Sequence, residues 1–484
     1  MLVRHTLLYM PAQLLGPLFQ FIAAVVWTHF LPANDYGVLT YVLASHELIA
    51  IGCLAWWSQY SLRFAGAYKD ADGRRRFQAA ENAVILCGLP AQAVLVVMLL
   101  SAQHVPLSVA MIVLASICCI SRSVTAHLCE RARGAGRVFI YTVAQSVGPV
   151  AGFAIALALV RYCDATPAMA LAGYAVAQSA IIPWIWRQMD LPWTIARPDA
   201  SIIRGALAFG VPMIIAGGVM WFSANGIRIV VAHVRGADAV GLLSVGWGLG
   251  QRLSSVVAML VTAAAFPLAV KHLVDGSREG AIRQLAMGGA ILYAVVAPSA
   301  VGIILVAEPL VDLMIAERFR EMTLVVLPLA ALTGAVRNLR IHFCDQIFIL
   351  FEHTHITIII NIVEAAATLG LCYVGALWAG PAGAVAGCLA GATLGALFGF
   401  AYGVLHFGLV IPWDHVARIT AATAVMASVL MTPAMRALTL PPLELLIVDI
   451  VIAGATYGAA LMALYALAMA EVCLRARVFR LALR

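Results

Sequence analysis

Several arginines lie deep inside long apolar stretches of this chain, where little water is available to stabilise a charge. An ionisable group in the hydrocarbon core costs roughly 2.5–3.5 kcal/mol, so it needs either a partner or a water-filled cavity. The planar guanidinium group binds phosphate through two parallel hydrogen bonds, which suits it to an anionic, phosphorylated substrate. The candidates for such substrate binding are Arg122, Arg252, Arg337 and Arg340.

The depth of these arginines leaves two interpretations open. Arg122 and Arg337 lie about 22 Å along their stretches if these are helical. Arg340 follows Arg337 by three residues and therefore shares its helix face. The side chains either face a central cavity and bind phosphate, or they extend toward the headgroups of the cytoplasmic leaflet.

A second polar level lies about 15 Å along the second apolar stretch and along its counterpart later in the chain. Glu47 occupies this level first, and Gln251 and Arg252 occupy it second. Polar residues at one depth in both halves are expected of a central cavity, so we assign Gln251 to substrate binding and Glu47 to coupling or gating. Alternatively, Glu47 and Arg252 form an internal ion pair. Glu364, inside a later apolar stretch, is the second coupling candidate, as a carrier of a proton.

Motifs for bond-making chemistry are absent from the sequence. A phosphate-binding loop needs Gly-Lys-Ser/Thr, but neither of the two lysines, Lys69 and Lys271, follows a glycine. Two histidine–cysteine pairs lie two residues apart, which is about 200° around a helix, so neither pair can chelate a metal. The two pairs are His127/Cys129 and His342/Cys344. We interpret them as interfacial histidines beside packed cysteines. We predict no enzyme activity, no cofactor and no metal.

The amino-acid composition indicates the class of protein in which these residues lie. Of 484 residues, 63% are hydrophobic and only 11% are charged, with a mean hydropathy of +0.97. Soluble proteins are about a quarter charged, so this chain cannot build a water-facing surface. A soluble enzyme, a disordered chain, a disulfide scaffold and a nucleic-acid binder are excluded.

Fourteen apolar runs are long enough to span a bilayer, which takes about 20 residues. The runs are too long and continuous for the strands of a β-barrel, which are about ten residues long. We predict an all-α integral membrane protein with helices near residues 6–31, 38–62, 81–101, 107–127, 138–160, 168–186, 207–233, 240–268, 284–307, 322–341, 355–378, 382–404, 416–438 and 443–471.

The positive charges test this number of helices. With the N-terminus in the cytoplasm, 20 lysines and arginines fall in cytoplasmic segments and 5 in external ones. This excess is the positive-inside pattern, which a wrong helix count would scramble. Both termini are therefore predicted to be cytoplasmic.

The chain also repeats itself. Residues 29–37 match residues 233–241, each beginning with His and ending with Gly where one span leaves the membrane and the next enters. Arg, His, Cys and an acid at 122–130 recur in the same register at 337–345. The matches predict two six-helix lobes, related by a pseudo-twofold axis along the membrane normal, with the substrate site between them. The predicted domains are residues 1–200, 201–406 and a terminal helix pair with a basic tail, 407–484.

Three stretches resemble the polysaccharide transporter family of the multidrug/oligosaccharidyl-lipid/polysaccharide exporter superfamily. They are residues 31–41 at the turn into the second helix, residues 228–244 across the seventh and eighth, and residues 407–418 at the entry to the thirteenth. The family often has an acid just before the arginine of helix 7, whereas here Ile227 precedes Arg228.

The resemblance implies a flippase that moves undecaprenyl-pyrophosphate-linked oligosaccharide across the bacterial inner membrane by alternating access. Its product would serve lipopolysaccharide O-antigen, capsule or exopolysaccharide assembly. The implied partners are the lipid-linked oligosaccharide, membrane lipids, and a polysaccharide polymerase with its chain-length machinery, without nucleic acid.

Three other functions stay open at this point. A lipid II flippase also has fourteen helices and a cationic cavity. A cation-coupled multidrug exporter of the same superfamily usually has twelve helices and acidic, aromatic cavity walls. A membrane-embedded polymerase or ligase usually needs a long periplasmic loop, and no external loop here exceeds about fifteen residues.

Overall fold

The computed structural model describes residues 2–68, 70–101, 108–192, 196–438 and 440–482. These residues form fourteen long helices. No strand occurs in these ranges. Two short helices, Ala307–Met314 and Pro433–Arg436, lie in connections. The long helices are α1 (Leu2–Phe30), α2 (Ala33–Ala67), α3 (Ala71–Ser101), α4 (Val109–Gly134), α5 (Val138–Tyr162), α6 (Pro167–Gln188), α7 (200–235), α8 (237–274), α9 (Arg278–Leu305), α10 (Glu317–Leu350), α11 (354–378), α12 (381–407), α13 (Trp413–Leu430) and α14 (Pro442–Ala482).

Two pairs of helices follow each other with almost no connection. Gly236, between α7 and α8, has a φ of 83°, and Gly380, between α11 and α12, has a φ of 62°. Glycine adopts such left-handed conformations without the steric penalty of a β-carbon. Pro381 follows Gly380 at the first position of α12, where a missing backbone N–H costs little.

Hydropathy places these helices in a membrane. Ten continuous helical stretches among the described residues are long and apolar enough to cross one. Two of them, Ala200–Arg252 and Thr354–Phe407, contain the glycine breaks and hold two helices each. The ten stretches therefore hold twelve helices, and α1 and α13 bring the number to fourteen. The predicted all-α membrane protein is confirmed.

Helix α3 begins at Ala71, before the span predicted from residue 81, because its polar first turns are helical as well. The Gly73 N–H donates to Asp70 Oδ2 at 2.8 Å, which satisfies one amide that a helix start leaves without a partner. Helix α9 begins in the same way, since the Gly280 N–H donates to Ser277 Oγ at 3.0 Å. The shared cap adds a further element to the predicted repeat.

Helix α13 ends at Leu430, short of the end predicted near residue 438. Pro433 has no N–H to continue the helix, and a proline also disfavours helical geometry in the residue before it. The chain therefore bends at Thr432, and the short helix Pro433–Arg436 follows. A hydropathy profile does not show this break, because the residues before and after it are equally apolar.

The chain forms two compact units. Unit 1 comprises Met1–Ser244 with Ala376–Ala384, and unit 2 comprises Val245–Gly375 with Val385–Arg484. Helix α8 therefore begins in unit 1 and continues in unit 2. The predicted domain boundaries at residues 200 and 406 follow the sequence repeat rather than compactness, and they stay a prediction.

Each unit has its own buried apolar cluster, which supports the polar side chains next to it. In unit 1 the cluster centres on α2 to α5 and includes Trp57, Tyr60, Phe77, Leu128 and Tyr141. In unit 2 it centres on α9 to α11 and includes Leu285, Leu292, Phe343, Phe348 and Ile360.

Within unit 1, the start of α2 and the start of α8 make a reciprocal contact. A β-carbon on Gly37 would overlap the carbonyl group of Ala237, and a β-carbon on Gly241 would overlap that of Ala33. Ala237 is the sequence counterpart of Ala33, just as Gly241 is the counterpart of Gly37. Both halves of the contact therefore use equivalent positions, and both require glycine for the close approach.

The next turn of both helices carries the same symmetry. Thr40 Oγ1 donates to Ser244 Oγ at 3.2 Å, and the two residues are again equivalent, 204 positions apart. A hydrogen bond between equivalent positions places the two hydroxyls on the pseudo-twofold axis that relates these segments. The repeat predicted from residues 29–37 and 233–241 is therefore present at the two helix starts.

Candidate functional site

The seven residues predicted to bind substrate or to couple transport divide between the two units. Unit 1 holds Glu47 on α2 and Arg122 on α4. Unit 2 holds Gln251 and Arg252 on α8, Arg337 and Arg340 on α10, and Glu364 on α11. The last three of these meet in one buried cluster.

This cluster in unit 2 is held by charged hydrogen bonds. Arg337 Nε donates to Glu364 Oε1 at 2.7 Å, and Arg340 Nε lies 2.9 Å from Glu364 Oε2. Arg340 also donates to Asp345 Oδ2 at 2.8 Å and to Asn361 Oδ1 at 2.7 Å. Glu364 is 1% exposed, so the cluster lies inside the protein. There the two arginines are neutralised by the carboxylates of Glu364 and Asp345, because a buried charge needs a partner of opposite charge.

The pairing bears on the roles predicted for these residues. Arg337 is 7% and Arg340 is 2% exposed, so both side chains are buried among protein atoms rather than extended toward headgroups. A phosphate grip by either arginine, or proton carriage by Glu364, requires these bonds to open. Both roles stay predictions.

Two members of the cluster, Asp345 and Asn361, were not predicted as site residues from the sequence. Helix α10 contains a π-helical segment, Arg340–Cys344, and such wider turns redirect side chains and recur at functional sites. No hydropathy pattern reveals that segment. Asn361, by contrast, precedes Glu364 by three residues on α11, so a polar pair on one face of an apolar helix was an available signal.

The cluster yields a stability prediction. We expect Glu364→Ala to lower the free energy of unfolding by about 3–5 kcal/mol, because Arg337 would be left as a buried charge without its carboxylate. Adding Arg337→Met should recover part of the loss by removing the orphaned charge. Thermal unfolding of the purified protein in detergent measures both effects.

A matched control for this test is Glu279→Ala, which breaks an exposed ion pair with Arg283 on α9. Exposed pairs contribute little, so we expect a change within about 0.5 kcal/mol. If Glu364→Ala proved as stable as Glu279→Ala, the cluster would not hold α10 to α11.

Arg122 has a different environment. It is half-buried on α4 and interacts electrostatically with His46 on α2 and with Cys118 and Cys119 on its own helix. Among the described residues, no carboxylate lies within ion-pair distance of its guanidinium, in contrast to Arg337. A cation at this depth that has no carboxylate partner among these residues is suited to an anionic ligand.

Glu47 is connected to Arg228 by hydrogen bonds through the side-chain amide of Asn225. Glu47 is exposed within unit 1, and Asn225 Nδ2 on α7 donates to Glu47 Oε2 at 3.4 Å. Arg228 Nη1 donates to Asn225 Oδ1 at 2.5 Å. Ile227 is buried in the position where the resembling family often has an acid, so the nearest acid in this chain of hydrogen bonds comes from α2 instead.

Gln251 offers an unused hydrogen-bond donor. Both Gln251 and Arg252 are half-buried, and Gln251 Nε2 is a buried atom for which no described residue supplies an acceptor. A buried donor without an acceptor costs about 1–3 kcal/mol, which an acceptor on a ligand would recover. The structure thus leaves a polar group available beside Arg252.

The structure shows which groups surround His127, whose predicted interfacial depth stays a prediction. This residue is 0% exposed, and its ring nitrogens contact Ser58 Oγ at 3.0 Å and Glu81 Oε1 at 3.1 Å. His342 repeats the first contact, with Nδ1 at 2.9 Å from Thr262 Oγ1. Counting depth from a helix end could not reveal these partners on neighbouring helices. The described ranges contain no group of three or more His, Cys, Asp or Glu side chains that could hold a metal.

Comparison of the sequence with known families matches residues 79–324, about half of the chain, to the family described as polysaccharide biosynthesis protein. No curated protein sequence matches the chain.

The fold is similar to solved structures of transporters. The lipid II flippase MurJ, in its inward closed conformation, is 12% identical with a TM-score of 0.72, covering 96% of this chain and 100% of that chain. An inward-facing multidrug resistance MATE family transporter of the MOP superfamily is 16% identical with a TM-score of 0.59, covering 84% and 95%. A MOP superfamily transporter from Pyrococcus furiosus is 15% identical with a TM-score of 0.50, covering 84% and 95%. These likenesses show the fold.

Proposed function

The chain belongs to the polysaccharide biosynthesis protein family, and we propose that it is a flippase for undecaprenyl-pyrophosphate-linked oligosaccharide in the bacterial inner membrane. It is a multi-pass membrane protein with the fold of the multidrug/oligosaccharidyl-lipid/polysaccharide (MOP) transporters. The observation that carries the proposal is the match of residues 79–324 to the polysaccharide biosynthesis protein family, and the similarity in fold to the whole length of a lipid II flippase agrees with it. The family description supports a polysaccharide precursor as the flipped lipid.

The chemistry of such a substrate fits the polar residues of the chain. The lipid tail is already soluble in the bilayer, so only the anionic sugar head needs a polar route. We assign Arg122, Gln251 and Arg252 to contacts with that head, because Arg122 has no carboxylate partner among the described residues and Gln251 has an unused donor. Arg337 and Arg340 join them only when their bonds to protein carboxylates open.

Transport then proceeds by alternating access, with Glu47 and Glu364 as coupling or gating groups. The sequence has no Gly-Lys-Ser/Thr loop for a nucleotide, so an ion gradient or consumption of the product outside drives the cycle. A polysaccharide polymerase with its chain-length machinery is the class of partner that would consume this product.

The orientation follows from charge. The excess of 20 basic residues over 5 supports a cytoplasmic N-terminus, and fourteen crossings return the C-terminus to the same side. A cysteine at Asp72 that reacted with a membrane-impermeant reagent in intact cells would contradict this topology.

The second candidate function is lipid II flipping, which the TM-score of 0.72 to MurJ favours. A multidrug exporter is less well supported, because the similarity to the MATE transporter is lower and leaves more of this chain unmatched.

Deletion of the gene tests the proposal. We expect the loss of one surface glycan, with its lipid-linked precursor retained on the cytoplasmic leaflet, because the sugar head cannot cross hydrocarbon unaided. Sidedness is measured by periodate oxidation of the sugar in intact spheroplasts, which reaches only the outer leaflet. Restoration by the wild-type gene is the control. Normal arrival of the precursor on the outer leaflet would overturn the proposal, and a block in lipid II instead would establish the second candidate.

A further inference from the structure

An arginine between α13 and α14 has no part in the proposed transport cycle. Arg418 lies in the second turn of α13, at the end of the stretch 407–418. The end of α14 packs beside this turn, and the Arg418 guanidinium lies over the Tyr465 ring, 5.4 Å from its centroid. Both helices belong to unit 2.

The Tyr465 ring is held in place by a neighbour on α13. His415 Nδ1 and Tyr465 Oη are hydrogen-bonded at 2.5 Å, so the phenol is fixed between the two helices. A guanidinium that lies over an aromatic face keeps the N–H donors of its edges available for hydrogen bonds. Tyr465 therefore orients Arg418 without occupying its donors.

The charge of Arg418 is not neutralised by any carboxylate among the residues that the structure describes. Asp414 stands one turn earlier on the same helix, at a spacing that favours an ion pair, yet the guanidinium lies over Tyr465 instead. Asp414 is exposed, whereas Arg418 is half-buried between the helices. The cation is therefore placed where an anion from outside the protein would complete its contacts.

Other polar side chains of the same helix group bind protein atoms. Tyr293 Oη on α9 and Thr420 Oγ1 on α13 are 2.9 Å apart, and Tyr457 Oη on α14 donates to the Ala294 carbonyl at 2.6 Å. Arg418 differs from them, because the structure supplies its guanidinium with an aromatic face but, within the described ranges, with no hydrogen-bond acceptor.

The surface around Arg418 is typical of helices in contact with lipid. Trp413, the first residue of α13, is exposed, and tryptophan is enriched where spans leave the hydrocarbon. Deeper in the span, Val425 on α13 and both Val451 and Met462 on α14 are exposed apolar side chains. Arg418 lies about 7.5 Å along the helix from Trp413, a distance over which a long basic side chain reaches headgroups.

Helix α14 adds positive charge on the same side. It continues as one helix for about 25 Å beyond Tyr465. The sequence of that part has three arginines, Arg475, Arg477 and Arg480, against one acid, Glu471. On the proposed topology this side is cytoplasmic, where basic residues next to a span attract anionic lipids and basic pockets between spans bind their headgroups.

We propose that Arg418 binds the phosphate of an anionic phospholipid between the start of α13 and the end of α14, with Tyr465 as the platform that orients it. The acyl chains stay in the bilayer beside the exposed apolar side chains. Because Arg418 and Tyr465 lie on different helices, the lipid stabilises the packing of α13 against α14. Binding does not rest on the proposed transport function, and only the leaflet rests on the proposed topology.

Native mass spectrometry of the full-length protein, delipidated in detergent, tests the site with phosphatidylglycerol, which is anionic, and phosphatidylethanolamine, which has no net charge. We expect tighter binding of the first phosphatidylglycerol, and a Kd about 10-fold higher in Arg418→Gln, because charge-assisted hydrogen bonds to the phosphate are lost. This lipid should also raise the unfolding temperature of the wild type but not of Arg418→Gln. Arg436→Gln is the matched control, since Arg436 is exposed just past the opposite end of α13, and it should keep the wild-type Kd.

Two further probes distinguish the sources of the phosphate. Inorganic phosphate should not displace the lipid, and displacement at equal concentration would overturn the proposal in favour of a free anion. If undecaprenyl pyrophosphate bound in preference to phosphatidylglycerol and lost that preference in Arg418→Gln, the site would belong to the transported lipid and the proposal would fail. Equal Kd values for Arg418→Gln and Arg436→Gln would overturn it outright. Should Arg418→Gln fail to insert, Tyr465→Leu decides: loss of the ring should raise the Kd about threefold, and an unchanged value would contradict the proposal.

Discussion

Replacing Arg122 by alanine is expected to reduce export at least about 100-fold while leaving the amount of folded protein unchanged. Two charge-assisted hydrogen bonds to a phosphate are together worth roughly 3 kcal/mol, which corresponds to about two powers of ten. Folding should not suffer, because among the described residues Arg122 has no carboxylate that the substitution would orphan. Surface glycan and membrane-inserted protein, quantified in a deletion strain that carries the variant, provide the measurement.

Two further variants make this result specific. Arg122→Lys should retain part of the activity, because a point charge remains but the bidentate geometry is lost. Arg133→Ala, which removes an exposed arginine paired with Glu130 at the end of the same helix, should export normally. Normal export by Arg122→Ala would end the assignment of this residue to the anionic head.

The second prediction concerns the starts of α2 and α8. Thr40 Oγ1 and Ser244 Oγ are 3.2 Å apart, so cysteines at both positions are placed to form a disulfide. If transport requires these segments to separate, oxidation should abolish export, and a thiol reductant should restore it. Crosslinking is followed by electrophoretic mobility after cleavage of the chain between the two positions.

The controls for the crosslink come from the same two positions. Each single cysteine should tolerate oxidant, and exchanging the residues as Thr40→Ser with Ser244→Thr should preserve export because the positions are equivalent. Full crosslinking with unimpaired export would show that the two helix starts stay together throughout the cycle.

The sequence sufficed for the number and class of the helices. A membrane span must satisfy its backbone hydrogen bonds internally, so a long apolar run has few structural options. Helix ends depended on features that hydropathy does not measure. The cap by Asp70 extended α3 beyond its apolar part, and Pro433 ended α13 within an apolar run.

The partners of the buried charges could not be predicted in the same way. Glu364 and its arginines lie on two helices, and Glu81 and His127 on two others, so their meeting depends on helix packing. Repeat matching brought attention to His127, yet its acid partner has no counterpart in the other half. The sequence repeat therefore gives no indication of an acid that is present in one half alone.

The contact between Gly37 and Ala237, repeated by Gly241 and Ala33, has the form of an isologous interface. Two identical helices that cross on a dyad make the same contact twice, so any change at a single ancestral position would have acted on both sides at once. In one continuous chain the two sides can diverge independently, and Thr40 facing Ser244 already differs from a self-pair. Residues on this dyad can therefore acquire different roles without loss of the original crossing.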